Sequence, residues 1–336
     1  MKRRIALGFV LAVVLLALLV SAVGSRDVAA ELGRADYRVL GLGVLSGLLA
    51  LTFRGLVWDR FVSLIDTTMA RKRIGQIFLT AMFLKYVTPY GQLAAEPFVA
   101  YLVSSDGEMA YEDGLASIVS ADLLNYIPYY TFGFLALGMI AVGGALGDGM
   151  VLQFAAFAGL FVVVATAVYV VVRQPAVIYR LVLGIATAVR RVLGRFSDRF
   201  DEQLSPAAVR TRLDGFYGSV ETITADKRTL LIATVYAHLG MAFLMLPVYL
   251  GAVALGYRLA LPVAAIVVAL GKLGTIVPAP GGTGGVEAIV TAGLTTLGQL
   301  EPAAALTVAL IYRLSTYWLT ISVGGLSAVS LLFQNA

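Results

Sequence analysis

Apolar residues in this chain come in long blocks separated by short polar stretches, and most blocks are as long as a membrane-crossing helix. The first runs from Ile5 to Val23 behind Lys2, Arg3 and Arg4. Ser21–Ser25 also offers a small-residue cleavage site, so a signal peptide is the alternative, although the run is long for one. Residues 24–38 mix both signs of charge and read as an outside loop. Further spans are expected at 38–57, 114–142, 150–172, 230–256 and 303–333. Two blocks break instead of crossing. Residues 74–104 are interrupted at Thr88-Pro-Tyr-Gly91, and residues 259–297 at Val277-Pro-Ala-Pro-Gly-Gly-Thr-Gly-Gly-Val-Glu287.

The second break organises the chain. Proline removes a backbone donor and glycine favours non-helical torsions, so no continuous helix passes through. Bare backbone inside a bilayer is tolerated only where protein or a wet cavity covers it. Two readings fit: a surface loop between spans, or a helix that enters, breaks near Gly281–Gly284 and restarts with Glu287 in its first turn. A restarted helix offers free N–H groups and a positive dipole end, which suit an anion.

Charge fixes an orientation. Arg60, Arg71, Lys72 and Arg73 belong on the cytoplasmic side, as does the segment between Arg173 and Arg228, with ten Lys or Arg against six acids. Its first part repeats Val177, Ile178, Leu181, Val182, Ile185 and Val189 at helical spacing, an interfacial amphipathic helix; residues 198–228 read as a solvated connector. With both termini inside, residues 74–104 make zero or two crossings. They are short for two, so a re-entrant hairpin fits better.

A shift of 191 residues aligns Pro89, Gly91 and Glu96 with Pro280, Gly282 and Glu287, and Tyr126 with Tyr317; Asp122 falls on Arg313. Three spans separate the copies, so the second is inverted. The expected architecture is an all-α integral membrane protein, one polytopic domain with about six full transmembrane helices and two re-entrant helical hairpins in an inverted repeat. Its halves are 38–135 and 229–326, joined by the basic connector 173–228. Oppositely oriented broken segments near the midplane point to a transport site.

Composition narrows the chemistry. The 336 residues are 60% hydrophobic and 13% charged, about half the charged share of a soluble domain. Cysteine is absent and His238 is the single histidine, which removes disulfides, thiolate catalysis and most metal sites. His238 alone reads as a hydrogen-bonded core residue. No P-loop, H-E-x-x-H or G-x-S-x-G motif is present, so neither an enzyme nor a cofactor is expected. The net charge of +5 reads as topology and lipid contact, not nucleic-acid binding. Ionisable groups inside spans are costly and usually functional. The candidates are Lys85, Glu96, Asp122, Lys272, Glu287 and Arg313, together with the turn residues Pro89, Gly91, Pro280, Gly281, Gly282 and Gly284, and Tyr126 and Tyr317. For Glu96 and Glu287 a capping role is the competing reading. For Lys85 and Lys272 it is snorkelling to the interface.

At these residues the chain resembles a known family. Pro280-Gly-Gly-Thr-Gly-Gly-Val-Glu287, with Arg313 in a Tyr-Arg-Leu context, is similar to the membrane region of lysylphosphatidylglycerol synthases, whose freestanding relatives are called flippase-like domain proteins. Thr88-Pro-Tyr-Gly-Gln-Leu-Ala-Ala-Glu-Pro97 and Ala100-Tyr-Leu102 resemble the first-half motif, especially that of archaeal members. The resemblance covers roughly 38–330. Val99 and Asp122 stand where the family tends to have arginine, and Ala94 and Ala95 where it has paired glycines, so the first-half headgroup contacts depart from the pattern. Lysyl transfer is not implied, because its soluble domain is missing. The resemblance implies translocation of a lipid with a polar or charged headgroup, a phospholipid or a polyprenyl-phosphate-linked lipid. Lys85, Lys272 and Arg313 would hold an anionic group beside the backbone after Pro89 and Pro280. Glu96 and Glu287 would position them or contact a cationic headgroup. The alternative is a membrane scaffold that presents lipid to a separate glycosyl- or aminoacyl-transferase.

Overall fold

The computed structural model describes residues 2–88, 91, 95–142, 150–193 and 202–334; these are helical nearly throughout and contain no strand. In chain order the helices are α1 (Lys2–Val23), α2 (Ser25–Gly33), α3 (Tyr37–Ile65), α4 (Arg71–Val87), α5 (Glu96–Asp106), α6 (Tyr111–Val142), α7 (Met150–Arg173) and α8 (Pro175–Leu193). They continue with α9 (Pro206–Ala225), α10 (Lys227–Ala254), α11 (Leu261–Gly271), α12 (Gly285–Thr296), α13 (Pro302–Arg313) and α14 (Leu319–Gln334).

Among the described residues, α3, α6, α10 and the continuous run Pro302–Gln334 are each long and apolar enough to cross a membrane. Two bent pairs raise the number to as many as six: α1 with α2, bent by 86°, and α7 with α8, bent by 90°. Gly24 makes the first bend with φ +111. The second falls at Gln174, and Pro175 restarts the helix where a missing N–H costs nothing.

Lipid is as apolar as leucine, so these helices are held by close fit and by polar contacts across helices. α3 lies along α10 at the centre, α4 packs on α14, and α6 packs on α11. Small residues set the approach: a Cβ on Gly47 of α3 would lie 1.8 Å from the Ser315 carbonyl oxygen, and one on Gly324 of α14 would lie 2.4 Å from that of Leu79. Pro247 cannot donate to the Phe243 carbonyl four residues earlier, so Ser46 of α3 does, at 2.7 Å. His238 is indeed tied into the bundle, with Nδ1 2.8 Å from the Thr234 carbonyl and Nε2 3.4 Å from the Thr131 hydroxyl.

Two segments differ from the sequence reading. Residues 25–33, expected as a charged loop, form α2 against α13; its buried Glu31 pairs with Arg34 and accepts from the Tyr257 hydroxyl at 3.1 Å. Most of 198–228 is not a loose connector. α9 packs on α6, burying Val209, Ser219 and Ile223, and Ser219 donates to Asp113 at 2.5 Å. By contrast, α8 keeps Leu181 and Ile185 exposed, as the amphipathic reading requires.

Both broken segments are built from short helices. α4 has 17 residues, α5 and α11 have 11 each, and α12 has 12. At 1.5 Å per residue they measure about 17–26 Å, under the ~30 Å of a hydrocarbon core. α11 is buried from Val263 through Gly271, on every face, inside the bundle.

Candidate functional site

After α11 the chain tightens into a 3₁₀ turn over Lys272–Ile276, then leaves helical geometry until α12 begins. Gly281, Gly282 and Gly284 have φ of +59, +65 and +88, torsions that side chains resist. Space forbids a side chain as well: a Cβ on Gly281 would fall 2.0 Å from the Tyr317 ring. Gly274 and Gly285 let the two arms touch backbone to backbone.

Arg313, at the end of α13, locks this turn. Its Nε donates to Glu287 Oε1 at 2.8 Å, and its Nη2 donates to the Gly281 carbonyl at 3.0 Å and to Thr283 Oγ1 at 3.2 Å. The other Glu287 oxygen accepts from the Gly284 N–H at 2.7 Å. Glu287 is therefore both a cap on the restarted helix and an ion-pair partner, and it is 1% exposed. A π turn over Leu314–Trp318 then carries Tyr317 under the guanidinium, 4.0 Å from its ring centre, and the Tyr317 hydroxyl donates to the Pro280 carbonyl at 3.1 Å.

The first break carries a different network. Lys85, in the last turn of α4 and 4% exposed, donates to Glu96 at 2.8 Å and pairs with Asp122 of α6. Trp58 of α3 donates its indole N–H to the same aspartate at 2.9 Å, and Lys85 lies 5.1 Å from that indole. Glu96 begins α5, as expected, yet its Oε1 serves Lys85 and its Oε2 is buried without a partner among the described residues. Gly91 sits against the Lys85 carbonyl, where a Cβ would approach to 2.3 Å. Pro89 lies outside the described residues.

The two networks meet. Tyr86 packs on Tyr317 with ring centres 5.5 Å apart, and α4 touches the Pro280–Gly282 turn. Lys272 reaches the other way, 4.5 Å from the Tyr126 ring centre and 5.8 Å from that of Tyr129, with Nζ 3.4 Å from the Tyr126 hydroxyl. The expected residues Lys85, Glu96, Asp122, Tyr126, Lys272, Glu287, Arg313 and Tyr317 thus gather around one interior region with the turn glycines. Sequence reading missed Arg54, Trp58, Tyr86, Tyr129 and Thr283. Arg54 carried the same signal as Arg313, an arginine inside an apolar helix. It was passed over because its span was ended at residue 57, which put Arg54 at the membrane edge; α3 runs on to Ile65. Among the described residues, no group of three acidic or histidine side chains is placed to hold a metal ion.

The chain is similar to a UPF0104 membrane protein of Methanothermobacter thermautotrophicus, 24% identical over 341 residues that cover 98% of this chain and 96% of that one. The family model for the lysylphosphatidylglycerol synthase TM region matches residues 5–324, a stretch containing both broken segments and every residue of this site. This multi-pass helical membrane protein belongs to the lysylphosphatidylglycerol synthase transmembrane-region family.

Proposed function

We propose that the protein translocates a lipid with a polar or charged headgroup between membrane leaflets. The carrying observation is the meeting of two broken helical segments, each with its own buried ion network, where α4 touches the Pro280–Gly282 turn and Tyr86 packs on Tyr317 beside it. Interior charges are expensive in a membrane and persist where a polar path or ligand uses them. Irregular backbone at depth is tolerated where protein or a cavity covers it, and in transporters such breaks form the binding site. The headgroup passes through this region while its tails stay in lipid.

The inverted repeat is part of the proposal. Exchanging the halves turns α3 into α10, α4 into α11, α5 into α12 and α6 into α13 with α14. The pairing of α4 with α14 and that of α6 with α11 are exchanged by this operation, and α3–α10 maps onto itself. Tyr126 and Tyr317 are partners in the 191-residue alignment, and each is touched from the opposite hairpin, Tyr126 by Lys272 and Tyr317 by Tyr86. The arms too short to span are then re-entrant, entering from opposite faces, with both termini cytoplasmic.

The test is lipid translocation in proteoliposomes, read as reductant quenching of fluorescent anionic and zwitterionic lipids. Quenching past the outer leaflet by the wild type, lost in folded Glu287→Gln and Arg313→Ala, is the expected result. Protected inner-leaflet lipid across all headgroups would overturn the reading. Side-specific labelling of single cysteines at Ser105 and Thr296 tests the topology: opposite sides are expected, and the same side would sink the inverted repeat.

A further inference from the structure

Two apolar cavities of 510 and 190 Å³ lie between α6 and the elbow formed by α7, α8 and α9. Val119, Val171, Phe216 and Tyr217 line both, so a wall of two aliphatic and two aromatic side chains divides them. Neither is lined by Lys85, Glu96, Asp122, Glu287 or Arg313. Along α6 the lining is a stripe with four-residue spacing, Leu115, Val119, Leu123 and Ile127. From Tyr111, where the larger cavity begins, to Ile127 the helix rises about 24 Å. That is close to one leaflet with its headgroups, half of the roughly 40–45 Å of a whole bilayer.

The far side of this trough is the bend between α7 and α8, which meet at 90°. Tyr217 of α9 ties the bend together: its hydroxyl donates to the Val171 carbonyl at 3.0 Å, and its ring stacks on Tyr179 with centres 5.7 Å apart. α8 divides its apolar half between two tasks. Ile178, Val182 and Ala186 line the larger cavity, while Val177 and Leu181 are exposed. Ile185 and Val189 do both, and so mark its mouth; Ile127 and Val172 mark the mouth of the smaller cavity in the same way.

Walls and surroundings together name the occupant. Ordered water needs two to four polar partners, and the walls are mainly apolar. The mouths open on exposed apolar surface, which in a membrane protein meets acyl chains. A partner helix, about 10–12 Å across, is too wide to divide around Phe216 and Tyr217; a pair of acyl chains is not. Charge selects the lipid. α8 carries Arg180, Arg190 and Arg191 and no acid. Arg212 of α9 is exposed and lines the larger cavity, where the acid in the same lining is Glu112. Arginines at a membrane surface attract anionic headgroups.

We propose that this trough binds a two-chain anionic phospholipid, with one chain in each cavity astride Phe216 and Tyr217 and the phosphate at the Arg212 rim. The site is separate from the hairpins and does not depend on translocation. It seats a lipid of the leaflet on which α8 lies and fills the space between α6 and the elbow.

The experiment maps lipid contacts and involves no transport. The full chain is reconstituted in phosphatidylcholine vesicles with a minor share of phosphatidylglycerol, one or the other lipid carrying a diazirine on an acyl chain. After irradiation, labelled residues are located by peptide mass spectrometry. Phosphatidylglycerol is expected to label Leu213 in the larger cavity and Val220 in the smaller. It should do so about fivefold more than phosphatidylcholine at equal probe, the worth of one basic side chain beside an anionic headgroup. Leu326, exposed on α14, is the lipid-facing control and should take both probes alike. Ala186→Trp, which fills the larger cavity, and the milder Val182→Phe are each expected to remove the Leu213 label while Leu326 stays labelled and thermal unfolding reports a folded protein. Arg212→Gln is expected to abolish most of the preference for phosphatidylglycerol and leave the labelled positions unchanged. Label at Leu326 with none at Leu213 or Val220 overturns the site, as does an undiminished Leu213 label in folded Ala186→Trp and Val182→Phe. Label in one cavity alone overturns the two-chain arrangement, and equal labelling by the two lipids overturns the anionic assignment.

Discussion

The two broken segments are braced in opposite ways. In the second, the long helix supplies the cation: Arg313 grips Glu287 and also the hairpin's own backbone at Gly281. In the first, the long helix supplies an anion, Asp122, and the hairpin brings its own cation, Lys85. Asp122 and Arg313 coincide under a shift of 191 residues, and where the long helix carries the anion the cation comes from the facing arm. Burial differs too. The Glu287 and Arg313 side chains are 1% and 8% exposed, whereas Glu96 and Asp122 are 17% and 14% exposed. α11 is enclosed on every face, while α5 presents Phe98 and Tyr101 outward. The turn of the second hairpin is held from both sides of Glu287, with both carboxylate oxygens hydrogen-bonded. The first has the longer arm, the more accessible carboxylates and a buried oxygen of Glu96 without a partner among the described residues.

The comparison predicts unequal costs. Arg313→Ala strands the buried Glu287 carboxylate and frees the turn, so a loss of about 3–5 kcal/mol is expected. Lys85→Ala leaves two better-solvated carboxylates that can share a proton, and its cost should be clearly smaller. Thermal unfolding of both variants in detergent checks the order, and equal losses would break the comparison. Next in size is Gly281→Ala. Its φ of +59 and the 2.0 Å approach of a Cβ to Tyr317 predict a loss of about 1–3 kcal/mol. In a Tyr317→Ala background, which already lacks the ring, Gly281→Ala should cost less, because only the torsional strain remains.

The smallest effect sharpens the first half from outside the spans. Asp66 closes the α3–α4 loop, accepting from the Thr68 N–H and Glu108 N–H at 2.8 and 2.9 Å and from the Thr68 hydroxyl at 2.5 Å. Burial pushes its carboxyl up, but these donors outweigh burial and hold it below the usual range of about 3.8. A carboxyl lowered in the folded state stabilises above its unfolded pKa, and that stability is lost as pH falls through the folded value. Wild type should therefore lose more stability than Asp66→Asn as the pH drops below about 4, read as the difference between their unfolding midpoints.

Much of the site was legible. Two prolines and four glycines inside an apolar run announced the second hairpin, because no helix tolerates them. Glu287 and Arg313 stood out because charge is rare in such a run. Arg54 carried the same signal and was lost to a span ended eight residues before the helix ends. α9 was lost because an apolar stripe in a charged segment was weighed by its charge. Trp58 and Thr283 could not be found at all, since indoles and hydroxyls are ordinary in membrane helices.

The sequence by itself determined the class of protein, the breaks and the charged residues that must be accounted for, because hydropathy and backbone chemistry act locally. Only the tertiary structure decided which charge answers which. Lys85 pairs with both Glu96 and Asp122, Arg313 grips the backbone at Gly281 as well as Glu287, and Lys272 comes to lie over Tyr126, 146 residues away. Pairing depends on which helices pack together, and that is set by shape fit among small residues across the bundle rather than by any pattern along one helix.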